Sequence, residues 1–225
     1  MILSTSKTIF ADIKIMEKLK TLVELTKFRL SSLVSFSAIF GYILAADKID
    51  MVSLIVLAVS GYMVTGSSVI NNQILEVEYD KKMDRTKNRP IPTNRISSFN
   101  ALIISFILMT LGLLLMSLYL NYLTAFISLI SLLIYTFIYT PLKRVGPIAV
   151  FVGAIPGALP PLIGWVAFSN MISLEALIIF SIQFIWQFPH FWAIAWLCDE
   201  DYKKVGFKLL PNRGKKNLNT ALNIM

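Results

Sequence analysis

Three features of the sequence predict an all-α bundle of membrane-spanning helices. Apolar residues fill 56% of the 225 positions and the mean hydropathy is +0.69, too apolar for a soluble domain of this size. Apolar runs near the ~20 residues needed to cross about 30 Å of hydrocarbon recur along the chain. The cations are clustered: every Lys and Arg except Lys48 falls in the N-terminal segment or in the links after the second, fourth and sixth runs. If each run crosses once, those links share one face, which the positive-inside rule makes cytoplasmic. The expectation is a multi-pass protein of the cell inner (cytoplasmic) membrane, with its N-terminus and both acidic clusters cytoplasmic. The net charge of +8 follows from that bias, so nucleic acid is not an expected partner. A single cysteine, Cys198, excludes an intrachain disulfide, and a single histidine, His190, excludes any site needing two.

Taken in order, Met1 to Thr26 is no secretory signal, because Lys7, Asp12, Lys14 and Glu17 interrupt its apolar positions. With Lys instead of Arg, and with Asp12, Glu17 and Glu24, it is no mitochondrial presequence either. Ile9, Ile13, Met16 and Leu19 fit a short amphipathic helix on the membrane surface. The first span is expected at about Phe28–Ala46, with Lys27 and Arg29 at its entrance. Asp47 to Asp50 link it to a second span, about Met51–Ile74, in which Gly61 and Gly66 allow close helix contact. The third, about Ala101–Leu118, is joined by a tight turn at Tyr119 to Tyr122 to a fourth, about Leu123–Tyr139. A fifth, about Ile148–Phe168, and a sixth, about Leu174–Leu197, complete about six spans. The segment after Lys216 resembles the lead-in to another span, so the expectation is one membrane domain over 1–225, C-terminally incomplete. Within it, 1–26 is the cytoplasmic amphipathic segment and 27–225 the bundle.

The polar link Asn72 to Pro92 is the chemical centre of the sequence. On a helix, residues four apart share a face, so Asn72, Glu76 and Asp80 line one side at roughly 6 Å per step. Acidic oxygens so arranged suit a hard cation such as Mg2+, which keeps waters and shares its shell with substrate phosphates. Asp84, Arg85, Lys87 and Arg89 follow at once, and the three cations can hold phosphate oxygens. Charge runs are most often solvated loops. The helical order of the acids, running straight out of an apolar span, favours a site.

Other positions carry weaker signals. Tyr139 and Lys143 leave the fourth span as a hydroxyl and a point charge that can bind phosphate, though on these two residues alone an aromatic-belt Tyr with a topology-setting Lys is the better reading. The fifth span holds Pro156, Pro160 and Pro161 with Gly153, Gly157 and Gly164. It is expected to kink or unwind into a cavity wall; ordinary small-residue packing is the equal alternative. Gln183, Gln187 and His190 at i, i+4 and i+7 predict a polar stripe in a Trp-rich sixth span, suited to a large flat ligand. Asp199, Glu200, Asp201 and Lys204 then form a second charged cluster on the same face as the first.

Together these motifs resemble the intramembrane (UbiA-type) prenyltransferase superfamily, and within it the haem O synthase branch. The resemblance runs from Leu25-Thr-Lys27-Phe-Arg29 to Gly206-Phe-Lys-Leu-Leu-Pro211. It is carried by Asp84-Arg-Thr-Lys-Asn-Arg-Pro90, Tyr139-Thr-Pro-Leu-Lys-Arg144, Gly157-Ala-Leu-Pro-Pro-Leu-Ile-Gly-Trp165 and Gln187-Phe-Pro-His-Phe-Trp192. It implies an all-helical bundle, usually of about nine spans, and transfer of the farnesyl group of farnesyl diphosphate to a vinyl group of haem B, giving haem O with Mg2+. Metal-holding positions would be Glu76, Asp80, Asp199 and Asp201. Asn72 and Lys143 would join Glu76 and Asp80 in catalysis. Asp84, Arg85, Lys87, Arg89, Tyr139, Gln187, His190, Asp199, Glu200, Asp201 and Lys204 would contact substrates. Beyond its substrates, the implied partners are the bilayer and haem A synthase or terminal oxidase assembly. The chain departs from the pattern at Glu76, where Asp is commoner, at Phe28, where Pro is common, and at Lys203 and Lys204, which replace the second acid of an Asp-x-x-x-Asp motif. A prenyltransferase for a quinone precursor shares the first acidic motif but has no need of Gln187 to His190. A transporter or channel would carry its acids near mid-membrane instead of at span ends.

Overall fold

The computed structural model describes residues 15–210, and the described residues are helices joined by short links. Ile9, Ile13 and the lead-in after Lys216 lie outside that range. Residues 15–25 form α1, in which residues 15–20, Met16 and Leu19 among them, are all exposed. The spans are α2 (Phe28–Ala45), α3 (Met51–Leu75), α5 (Ser98–Tyr119), an α6-based span (Tyr122–Leu142), α8 (Ile148–Ser169) and α9 (Leu174–Leu197). The short α4 (Val77–Asp80) and α10 (Asp199–Val205) follow α3 and α9. Six helices among the described residues are long and apolar enough to cross a membrane.

Helix starts follow side-chain capping. Asp50, Ser97, Asn121 and Ser173 each accept a hydrogen bond from the backbone N–H three residues on. The fourth span departs from the expected single helix. It runs as α6 (Tyr122–Leu133), a π-helical turn (Ile134–Tyr139) and α7 (Thr140–Leu142). Pro141 has no N–H for the Phe137 carbonyl, and the Thr140 N–H reaches back five residues to Tyr135 O. The Thr140 hydroxyl bonds the same carbonyl at 2.9 Å.

Instead of unwinding, α8 continues as one helix through Pro156, Pro160 and Pro161, and its Gly153, Pro156, Gly157 and Pro160 wall a cavity. Pro161 deprives the Gly157 carbonyl of its helical donor, and Gln187 Nε2 arrives from α9 to supply one at 3.2 Å. Small residues also bring α2 against α8. A Cβ on Gly41 would collide with the Pro161 carbonyl, and one on Gly164 with the Ala38 carbonyl. Accordingly α8 is the central helix, with 67% of its most apolar stretch buried against 6% for α9. On the other flank, α3 and α5 approach at Gly112 and are joined by a 2.9 Å bond between Ser67 and Ser105.

Candidate active site

The links that carry the cations meet at one end of the bundle. Arg95 pairs with Glu24 at 2.6 Å, Asp201 bonds the backbone of Asp84, and the Lys208 N–H donates to Lys143 O at 3.4 Å. Beneath them lies a cavity of about 300 Å³, lined by residues of α2, α3, the fourth span, α8 and α9. That volume is at the low end for small-molecule sites.

Asn72, Glu76 and Asp80 all line this cavity and are buried. Helix α3 stops at Leu75 and Glu76 is a joint with φ −105° and ψ 9°. The Asp80 N–H still bonds Glu76 O at 2.8 Å, so the four-residue spacing survives the joint. Asn72 Nδ2 donates to Thr140 Oγ1 at 3.1 Å, tying the acidic row to the π-turn. Lys143 Nζ donates to both Glu76 oxygens, at 2.9 and 3.1 Å. Arg89 Nη1 donates to Asp80 Oδ2 at 2.7 Å. The residues expected for metal and those expected for phosphate are thus paired with each other.

Two lysines are perturbed in opposite directions. Burial alone would lower Lys143, but the Glu76 charge and hydrogen bond hold it above the usual lysine range. At Lys27, burial together with the positive charges of Arg89, Lys143 and Arg85, partly countered by Asp80, brings the ammonium down to about 7. Lys27 lines the cavity from the start of α2, in a left-handed backbone conformation with φ 46°. From sequence it stands only at the entrance of the first span and at the start of the family resemblance, with no chemical role assigned to it.

Among the described residues, no three His, Cys, Asp or Glu side chains converge on a metal position. The first acidic row nonetheless fits a hard cation. Asp80 Oδ1 is fully buried, has no hydrogen-bond partner, and belongs to a cavity-lining side chain beside Glu76 and Asn72. An ion that keeps waters and takes substrate oxygens needs few such protein ligands.

The second cluster is differently engaged. Asp199 is buried and paired with Lys203 at 2.7 Å, and Glu200 is exposed. Asp201 accepts from the Asp84 and Arg85 N–H groups at 3.0 Å each and from Lys204 at 2.9 Å; Lys204 also pairs with Asp84. None of Asp199, Glu200, Asp201 or Lys204 lines the cavity. Asp84 and Lys87 are exposed and paired with each other, whereas Arg85 and Arg89 line the cavity.

Farther in, Tyr139 lies beneath Lys143 Nζ, 4.9 Å from the ring centroid, and 5.5 Å from the Phe191 ring. The expected polar stripe on α9 does not act as a unit. Gln187 is turned onto α8, Gln183 is half-buried, and His190 lines the cavity with its surface exposed instead of lying deep in apolar packing. Among the described residues its imidazole has no hydrogen-bond partner, and its ring centroid lies 5.9 Å from that of Phe191 at an interplanar angle of 69°.

Known proteins share this architecture. A digeranylgeranylglyceryl phosphate synthase matches with a TM-score of 0.75 at 25% identity, over 92% of this chain and 72% of its own. A UbiA homolog from Archaeoglobus fulgidus, solved with DMAPP and Mg2+, matches with a TM-score of 0.67 at 15% identity, over 91% and 82%, which speaks for the fold alone. By sequence, the protoheme IX farnesyltransferase of Cytophaga hutchinsonii is 50% identical over 203 residues, covering 90% of this chain and 71% of that protein. That of Flavobacterium psychrophilum is 46% identical over 222 residues, covering 97% and 70%. Residues 34–223 match the UbiA prenyltransferase family. Six spans around a buried acid–cation cluster, with these matches over most of its length, make this chain a member of the UbiA prenyltransferase family.

Proposed function

We propose that the chain transfers the farnesyl group of farnesyl diphosphate to a vinyl group of haem B, forming haem O. The observation that carries this is the pair of buried ion pairs at the cavity, Glu76 with Lys143 and Asp80 with Arg89, in a chain 50% identical to a protoheme IX farnesyltransferase. In the reaction the farnesyl C1–O bond breaks and diphosphate leaves. The terminal vinyl carbon bonds C1, water adds at the inner carbon, and a proton is released.

The residues divide this work. Lys143, Arg89 and Arg85 hold the diphosphate oxygens, with Lys27 as a fourth cation. Glu76 and Asp80, beside Asn72, would hold Mg2+. When bound, Mg2+ neutralises charge building on the leaving group. Glu76 and Asp80 are neutralised by Lys143 and Arg89, so on substrate binding the acids would turn to the metal and the cations to phosphate oxygens with no bare charge left buried. The Tyr139 and Phe191 rings border the space between the cations and His190. A cation forming there meets π faces, which favour it. His190 lines the cavity with no hydrogen-bond partner among the described residues, and it is the imidazole that would meet the haem iron. The cation-rich end faces the cytoplasm and the protein resides in the inner membrane. The product makes haem A synthase or oxidase assembly the natural recipients.

Pigment extraction from cells with and without the gene tests this reading. Haem O is expected only with it; a prenylated quinone precursor appearing instead would overturn it.

A further inference from the structure

We infer that Asp201 is a positioning residue, which fixes the loop carrying Arg85 and Arg89 by gripping its backbone, and that it is not a metal ligand. The inference rests on the proposed diphosphate role of those arginines.

The two Asp201 oxygens are divided between consecutive peptide groups. Oδ1 takes the Asp84 N–H and Oδ2 the Arg85 N–H, both at 3.0 Å. Lys204 Nζ adds a third donor to Oδ1 at 2.9 Å and bridges to the Asp84 carboxylate. With two donors on Oδ1 and one on Oδ2, a divalent cation at this carboxylate would meet N–H and ammonium groups whose positive ends already point at it, and would find one lone pair, on Oδ2, unengaged. The fork also fixes the peptide between Asp84 and Arg85, and so the start of the turns that bring Arg85 and Arg89 to the cavity. Within those turns Arg89 N bonds Thr86 O at 3.0 Å, and Thr86 Oγ1 bonds Asp80 O at 3.0 Å. The same segment reaches the other cationic link. Phe207 sits against Tyr79 and Tyr202, with ring centroids 5.6 and 5.7 Å away, and Lys208 N bonds Lys143 O. The second charged cluster therefore acts as a strap across the links that present the phosphate-binding cations.

The test uses the full chain in lipid nanodiscs and compares Asp201→Asn, Asp201→Glu and Lys204→Met with the parent. Asparagine keeps one acceptor but turns an NH2 toward the other peptide N–H. Without metal or substrate, amide hydrogen exchange over residues 81–89 is expected to quicken about tenfold or more in Asp201→Asn, as two charge-assisted bonds are weakened. In turnover, KM for farnesyl diphosphate should rise by a similar factor. KM for haem and the half-saturating Mg2+ concentration should stay put. Asp201→Glu should restore part of both effects, and Lys204→Met should show a smaller version of each. If Asp201→Asn does not fold, the glutamate and methionine variants are read against the same two criteria. Unchanged exchange with a severalfold higher Mg2+ requirement would overturn the inference and make Asp201 a metal ligand. Because the exchange measurement needs no turnover, it judges the strap even if the haem O reading fails.

Discussion

Lys27 holds an ammonium near neutrality and a non-glycine residue in the left-handed region, two unfavourable states at one position. Its folded pKa of about 7 lies below the ordinary 10.5. The folded state is therefore penalised in full below about pH 7, and the penalty is relieved as pH rises from there toward 10.5. A bound diphosphate wants the opposite, since only the protonated amine helps it. Raising the pH from 6.5 to 9 should therefore raise KM for farnesyl diphosphate, by at most about tenfold per pH unit. The Lys27→Met enzyme should lose this component, as parallel pH titrations would reveal. The pair Glu76 and Lys143 permits a second test. Glu76→Gln strands a buried cation and should cost about 3–5 kcal/mol of stability, while adding Lys143→Met should recover much of it. Neither variant should retain turnover, with losses of about 100-fold or more. Thermal unfolding in detergent and a haem O assay read the two effects separately. Glu76 and Asp80 were legible as a pair of acids on one helix face. Their partners were not, because Lys143 lies 67 residues from Glu76 and spacing rules reach only one helical turn.

Among the elements, α8 shows how far sequence punctuation can be trusted. Its prolines correctly mark lost backbone donors, but the replacement donor, Gln187, comes from another helix, and no local pattern announces it. The starts expected at about Met51, Ala101, Leu123 and Leu174 were legible to within three residues, because each of these helices begins at a local cap between a side chain and the next turn. The π-turn was not, since it depends on Thr140 competing for one carbonyl. At the contact of α2 and α8, Gly164→Ala forces a methyl into the Ala38 carbonyl. It should lower stability by about 1–3 kcal/mol, measured as a lower unfolding temperature. Gln187→Leu leaves the Gly157 carbonyl unpaired and should destabilise by about 1–3 kcal/mol without changing KM for farnesyl diphosphate.

For the molecule as a whole, the six spans place α1, the Lys81 to Arg95 link, Lys143 and α10 together at one end. The turn at Asp47 to Asp50 is separated from them by α3. In cells carrying Cys198→Ser, a cysteine at Lys48 should react with an impermeant maleimide added outside. One at Arg144 should react only after the membrane is opened. Labelling in the reverse order would invert the topology. The strap also sets an order of events during synthesis. The loop bearing Arg85 leaves the ribosome first, and the carboxylate that holds it follows 116 residues later, after four further spans. Until then the nascent chain can sit in the bilayer with its spans inserted and its phosphate-binding loop unrestrained. On the proposed role of Arg85 and Arg89, diphosphate affinity is acquired late, when the segment after α9 folds back over chain made long before. A ribosome-arrested chain that exposes residues only to Leu197 should insert normally yet fail to retain farnesyl diphosphate, and release of about a dozen more residues should restore retention.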